Sequence, residues 1–249
     1  MKKESKRTFL VFLVFIALKI FFSYFIPASR TFADDYNYLK MSESFFYHFS
    51  FKVHGSFSGQ FHPLYPIIIS IAHIFKDNNL VYLFIKIINS VSSSLIIFPA
   101  YYLSKEFLSE KKSLLVCIFI ALLPSNFALS SYIMAENLFY SLFLFSVYFI
   151  YKLFKERSAK YSILSGIFIG LTYLTKINGL ILLSVLVLLI LLSVINKNFD
   201  KRYLLSLFIT LIILTPLAIE QKDTYGLYLG KFGLAEDKTF ALQGGGLGE

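Results

Sequence analysis

The sequence predicts an all-α, polytopic transmembrane helical bundle, and three observations carry that prediction. Of the 249 residues, 57% are hydrophobic and 18% aromatic, with a mean hydropathy of +0.67, against about 45–50% apolar in an average soluble domain. Apolar runs long enough to cross a hydrocarbon layer about 30 Å thick recur along the chain, and a lipid-exposed chain satisfies its backbone by folding such runs into helices. The basic residues behind the net charge of +9 gather in short connectors between the runs, which is the pattern of a membrane protein rather than of a nucleic-acid surface. No nucleic-acid partner is expected.

In chain order, the apolar runs place spans at 9–27, 80–103, 113–130, 136–152, 161–175, 179–195 and 203–219, about seven crossings. Lys2, Lys3, Lys6 and Arg7 precede the first. Lys105, Lys111 and Lys112 follow the second, Lys152, Lys155, Arg157 and Lys160 the fourth, and Lys197, Lys201 and Arg202 the sixth. The cations of the opposite side are fewer and spread over longer segments, so the positive-inside bias puts the N-terminus in the cytoplasm and the long segment 28–78 outside. The first run is longer than the apolar core of a signal peptide and reads as an uncleaved helix of an integral cell membrane protein. The module covers 1–220. Residues 221–249 read as an external tail, the start of a missing or separate C-terminal part. The single cysteine, Cys117, lies in an apolar run and reads as a core residue, with no intrachain disulfide.

The first external segment has its own pattern. Tyr38, Met41, Phe45 and Phe46 recur at helical spacing opposite Asn37, Lys40 and Glu43, which predicts an amphipathic helix in the membrane interface. Leu64–Phe75 is apolar but too short to cross, so it lies on or dips into the bilayer.

Just ahead of the interfacial helix stand Asp34 and Asp35. One acid there serves as a cap. Two adjacent acids at a bilayer surface suit a different purpose as well, because a carboxylate beside a low-dielectric layer can act as a general base. All four histidines, His48, His54, His62 and His73, fall in the same segment but match no zinc spacing. The cofactor the residues admit is a divalent cation, Mg or Mn, on Asp34 and Asp35. Glu136 opens the fourth span as a helix-start acid or as the wall of a polar site. Lys176, in the turn between the fifth and sixth spans, is placed to anchor at the interface or to meet an anion. Lys19 and Lys86 lie inside spans, where a cation is a functional candidate unless it snorkels. The tail glycines Gly244 to Gly246 have no strand-and-helix context for a phosphate loop.

The order of these pieces, ADDYNYLKMSESF, HPLYP, ALLPSNFALSSYIMAENLF and GIFIGLTYLTKINGLILL, resembles the GT-C superfamily of membrane glycosyltransferases. That superfamily uses polyprenyl-phosphate-linked sugars and includes protein O-mannosyltransferases and aminoarabinose transferases. The resemblance covers most of residues 8–220. The family's acidic pair with a tyrosine four residues after the first acid falls on Asp34, Asp35 and Tyr38. His62-Pro63-Leu64 is similar to a family His-Pro-Pro-Leu segment, Ala135-Glu136-Asn137 to Ser-Glu-Asn, and Leu174-Thr175-Lys176 to Leu-Thr-Lys.

The resemblance implies an inverting glycosyltransferase of the hexosyl or pentosyl type acting on the extracytoplasmic face. Asp34 is the implied catalytic carboxylate, Asp35 its helper, and His62, Glu136, Lys176, Arg30 and Tyr38 are the implied substrate-binding residues. The implied partners are a polyprenyl-phosphate sugar donor, a protein, lipid or glycan acceptor, and the bilayer. The rival readings are a transporter, which calls for functional charges near the midplane and broken helices, and a non-catalytic membrane assembly module.

Overall fold

A computed structural model describes residues 3–26, 33–53, 56–57 and 61–225, and it is built almost wholly of helices. They are α1 (Lys3–Tyr24), α2 (Ala33–His48), α3 (Leu64–Ser70), α4 (Asn78–Ser94), α5 (Ile97–Lys105), α6 (Glu110–Leu122), α7 (Pro124–Phe127), α8 (Glu136–Glu156), α9 (Ala159–Thr175), α10 (Leu180–Ile195) and α11 (Lys201–Tyr225). Two-residue strands β1 (Lys52–Val53) and β2 (Ser56–Phe57) pair antiparallel after α2. The compact unit Met1–Leu214 holds everything discussed below, and Thr215–Glu249 is a separate unit.

The stretches Ser5–Tyr24, Asn78–Lys105, Glu136–Glu156 and Ile177–Ile195 are long and apolar enough to cross a bilayer. Glu110–Leu122 with Pro124–Ser131 makes a fifth if the pair, bent by 64°, is one broken span. Pro124 explains the bend: Leu123 before it adopts φ −52° and ψ 132°, the extended conformation that a following proline favours, and a new helical turn starts at the proline. The seven crossings expected from the sequence also count α9, 17 residues long, and α11.

With little hydrophobic drive between helices in lipid, small residues and interhelical hydrogen bonds hold the bundle together. Ser162, Gly166 and Gly170 recur every four residues on α9, so α11 comes close. A methyl at Gly166 would lie 2.6 Å from the Ser206 carbonyl oxygen, and one at Gly170 would lie 2.8 Å from Ile213. Ser165 and Ser206 bond across the same seam at 2.8 Å. Ser146 on α8 meets Thr172 on α9 at 2.9 Å, and Ser141 donates to the Ser92 carbonyl at 2.6 Å.

The two intramembrane lysines join α1 to α4. Lys19, fully buried, donates to Ser93 Oγ at 2.7 Å. One or two turns along, Lys86 donates to the carbonyls of Ser23 and Ile26 at 3.3 and 2.6 Å, closing the open end of α1 as a basic group at a helix C-terminus does. Cys117 is a buried core residue.

Between the first two spans, α2 packs on α3 over a core of Tyr38, Tyr65, Ile69, Ile85, Ile133 and Leu138. The expected interfacial helix is α2, and the expected short apolar segment is α3 with the 3-10 turn Ile71–Ile74 that follows it.

Candidate active site

The site is assembled at one end of the helices from the starts of α2 and α8 and the end of α9. Because α2 begins at Ala33, Asp34 and Asp35 both lie in its first turn, where a carboxylate suits the free N–H groups and the helix dipole. Consecutive helical residues point about 100° apart, and the pair accordingly divides: Asp34 is exposed and Asp35 is only 1% exposed. Neither Asp35 oxygen has a hydrogen bond of good geometry. Burial pushes its carboxyl up to about 6, and the negative charges of Asp34 and Glu136 add to the rise, while the backbone of Ile133 opposes it.

One turn further along α2, Tyr38 is buried edge-on between Phe61 and Tyr65, at ring separations of 4.9 and 5.1 Å. Burial, then the charges of Glu136 and Asp34, keeps its phenol protonated well above the ordinary range. His62 stands two residues ahead of α3 and is buried with its ring edge-on to Tyr173 of α9 at 5.0 Å.

Glu136 is the first residue of α8. Its Oε1 accepts from the Lys176 ammonium, and its Oε2 is buried without a hydrogen bond. Lys176 ends α9 in an extended conformation, its N–H still bonded to the Thr172 carbonyl and its own carbonyl accepting from Gly179 N–H at 2.9 Å. Gly179 is required by close approach, since a methyl there would fall 2.6 Å from the backbone nitrogen of Tyr173.

A hydrogen-bond network that no pattern in the sequence announced sets the approach to Glu136. Tyr65 donates to Asn89 Oδ1 at 3.0 Å, and Asn89 donates to the Tyr132 carbonyl at 2.8 Å. Asn137 gathers the carbonyls of Leu129, Tyr132 and Met134 at 2.9, 3.1 and 3.0 Å. Each of these carbonyls also accepts a backbone N–H, from Tyr132, Met134 and Asn137 in turn, so the amides add a second donor to the carbonyls of the irregular segment 128–135 and fix its path. The signal that could have exposed it is the presence of asparagines within or beside apolar runs, because amides there need partners.

The structure thus brings Asp34, Asp35, Tyr38, Glu136 and Lys176 into one electrostatic neighbourhood, with His62 on the same α3–α9 side. Arg30 and His54 lie outside the described residues. His73 is elsewhere, its Nε2 2.9 Å from Ser42 Oγ, and Lys19 and Lys86 serve the α1–α4 seam. Among the described residues no group of three or more His, Cys, Asp or Glu side chains is placed to hold a metal. The cation that the described part of the site supplies is Lys176.

No curated protein and no solved structure matches the chain. A family model does, over residues 62–219, beginning at His62 and so including Glu136, Lys176 and their network but not the two aspartates. The match spans more than half of the 249 residues, and the chain belongs to the dolichyl-phosphate-mannose-protein mannosyltransferase family, multi-pass membrane glycosyltransferases of the GT-C type.

Proposed function

We propose that the chain moves a hexose or pentose from a polyprenyl-phosphate donor to an acceptor hydroxyl, with inversion, at the extracytoplasmic face. The family's name supports a dolichyl-phosphate mannose donor and a protein acceptor. The charge bias of the connectors supports the face. The observation that carries the reading is that an exposed carboxylate, Asp34, and Glu136, the partner of the Lys176 ammonium, both act on the buried Asp35 and Tyr38.

In this reading the acceptor oxygen attacks the anomeric carbon from the face opposite the phosphate, and its proton passes to Asp34. The bond from the anomeric carbon to the phosphate oxygen breaks, and its electron pair stays on the lipid phosphate. Lys176 stands where that growing charge needs a cation, with Arg30 as a second candidate. Asp35, buried behind Asp34, meets neither substrate directly and helps through its charge, which is felt by Asp34. Tyr38 and His62 wall the sugar site. The lipid tail reaches the site sideways from the bilayer, so a nucleotide-binding loop has no part in the chemistry. Family membership supports this transferase over a transporter, although the bend at Pro124 and the buried Lys19 are features a transporter would also show.

The test uses the full chain in lipid nanodiscs with a panel of polyprenyl-phosphate sugars and a hydroxyl acceptor. The anomeric configuration of the product is read by NMR. A product inverted relative to the donor is expected. A product of retained configuration, or equal transfer from nucleotide sugars, contradicts the proposal.

A further inference from the structure

Lys176 already has an anion. Glu136 Oε1 holds its ammonium while Oε2 is buried without a partner, and the lysine side chain is 31% exposed against 15% for the glutamate. The cation is therefore reachable from outside and its partner lies deeper. The backbone on both sides is held. Asn137 collects three carbonyls ahead of α8, and Gly179 locks the turn after Lys176 against Tyr173. Any exchange of partners at Lys176 must then come from side-chain rotation rather than loop movement.

The charges of the two ligands differ in a way that such an exchange would use. A polyprenyl-phosphate sugar is a phosphodiester with one negative charge. The lipid phosphate left after transfer is a monoester, which carries about −1.5 to −2 near neutral pH. Against a fixed carboxylate competitor, Lys176 favours the product, and the transition state leading to it, over the donor.

We infer that Glu136 is an exchange anion for Lys176: it releases the ammonium as charge grows on the leaving lipid phosphate and recaptures it when that phosphate departs. The inference rests on the proposed transfer from a polyprenyl-phosphate donor. It makes the contribution of Lys176 larger in the transition state than in the donor complex, the condition under which binding accelerates chemistry. It also supplies a route to product release. While the phosphate holds Lys176, the Glu136 carboxylate faces Asp35, and behind it Asp34, without its cation, and that repulsion is relieved only when Lys176 returns. Without the exchange, a lipid phosphate on an unshared ammonium would leave slowly.

The experiment measures binding of polyprenyl phosphate alone, with no sugar, to the full chain in nanodiscs of uncharged lipid. It compares wild type, Glu136→Gln, Glu136→Asp and Lys176→Ala. Glu136→Gln is expected to bind polyprenyl phosphate about tenfold tighter, the range of one partly buried ion pair, and to show product inhibition at correspondingly lower concentration. Glu136→Asp keeps an acid at the start of α8 but draws the carboxylate back by one methylene and so weakens its hold on the ammonium. It is expected to tighten binding in the same direction, and it decides the matter if the Gln variant does not fold. Lys176→Ala is expected to weaken binding. If Lys176→Ala weakens binding but neither Glu136 variant tightens it, the exchange is overturned and the transferase reading stands. If Lys176→Ala binds like wild type, Lys176 is not the phosphate cation, and both the exchange and the role proposed for Lys176 in transfer fall.

Discussion

The ammonium of Lys176 is bound by the carboxylate of Glu136, joining the end of α9 to the start of α8. Two helices that pack along their length through contacts such as Ser146–Thr172 are thus also tied at their ends by the site's own charges. The position of Lys176 depends on its backbone, and that backbone depends on Gly179.

Gly179→Ala places a methyl 2.6 Å from Tyr173 N and 2.7 Å from its Cα, both rigid backbone atoms. The turn must shift, and Lys176 with it. Because misplacing a catalytic group by about 1 Å costs on the order of 10²-fold, transfer should fall about 10–10²-fold. The clash also falls on Thr172, which meets Ser146 of α8, so thermal stability should fall as well, by about 1–3 kcal/mol. Steady-state transfer and thermal unfolding in detergent, run on the same preparation, check this. Full activity would show that Lys176 is not held where the turn puts it.

Asp35 makes stability depend on pH in a definite direction. Its folded-state carboxyl is raised from 3.8 to about 6, so the folded protein holds that proton more tightly than the unfolded chain. Its contribution is fully present below about 4 and is lost as pH rises through about 6, by up to about 3 kcal/mol. Asp35→Asn keeps the shape and removes the charge. The variant should be more stable than wild type at pH 7.5, and the difference should shrink toward zero near pH 4. Thermal unfolding at the two pH values measures it, and a difference that does not change with pH would contradict the burial of this carboxyl.

Lys19 is expected to be dispensable for activity. Its ammonium is fully buried, and its bond to Ser93 Oγ is to a hydroxyl that already donates to the Asn89 carbonyl at 2.7 Å. Removing the lysine therefore strands no donor on Ser93 and relieves the desolvation of a charge. Lys19→Met should raise stability by about 1 kcal/mol or more and leave transfer unchanged. A loss of transfer with intact folding would give Lys19 a functional role.

Much of this arrangement can be read along the chain. The apolar runs, the helix α2 after the first span, the short apolar α3 and the helix starting at Glu136 follow from periodicity and length. The pairing of Glu136 with Lys176 is consistent with two charged residues at facing ends of consecutive helices. Other features depend on packing that periodicity does not encode. Asp34 and Asp35 are neighbours of the same type, and only the docking of α2 on α3 makes one exposed and the other buried. The run 113–130 looks continuous by hydropathy, yet Pro124 breaks it with a 64° bend. The network through Tyr65, Asn89, Tyr132 and Asn137 joins residues up to 43 apart within a pair and involves carbonyls, which have no signature in a sequence.

In the proposed transfer Asp34 takes the acceptor proton, and the most direct test of that role is Asp34→Asn in the full chain with a defined polyprenyl-phosphate donor. Asp34 is exposed at the start of α2 and buries little, so the variant should fold as wild type does. Its transfer rate should fall by at least about 10²-fold, the contribution of a positioned general base, while binding of polyprenyl phosphate at Lys176 persists. Near-normal transfer by Asp34→Asn would contradict the mechanism.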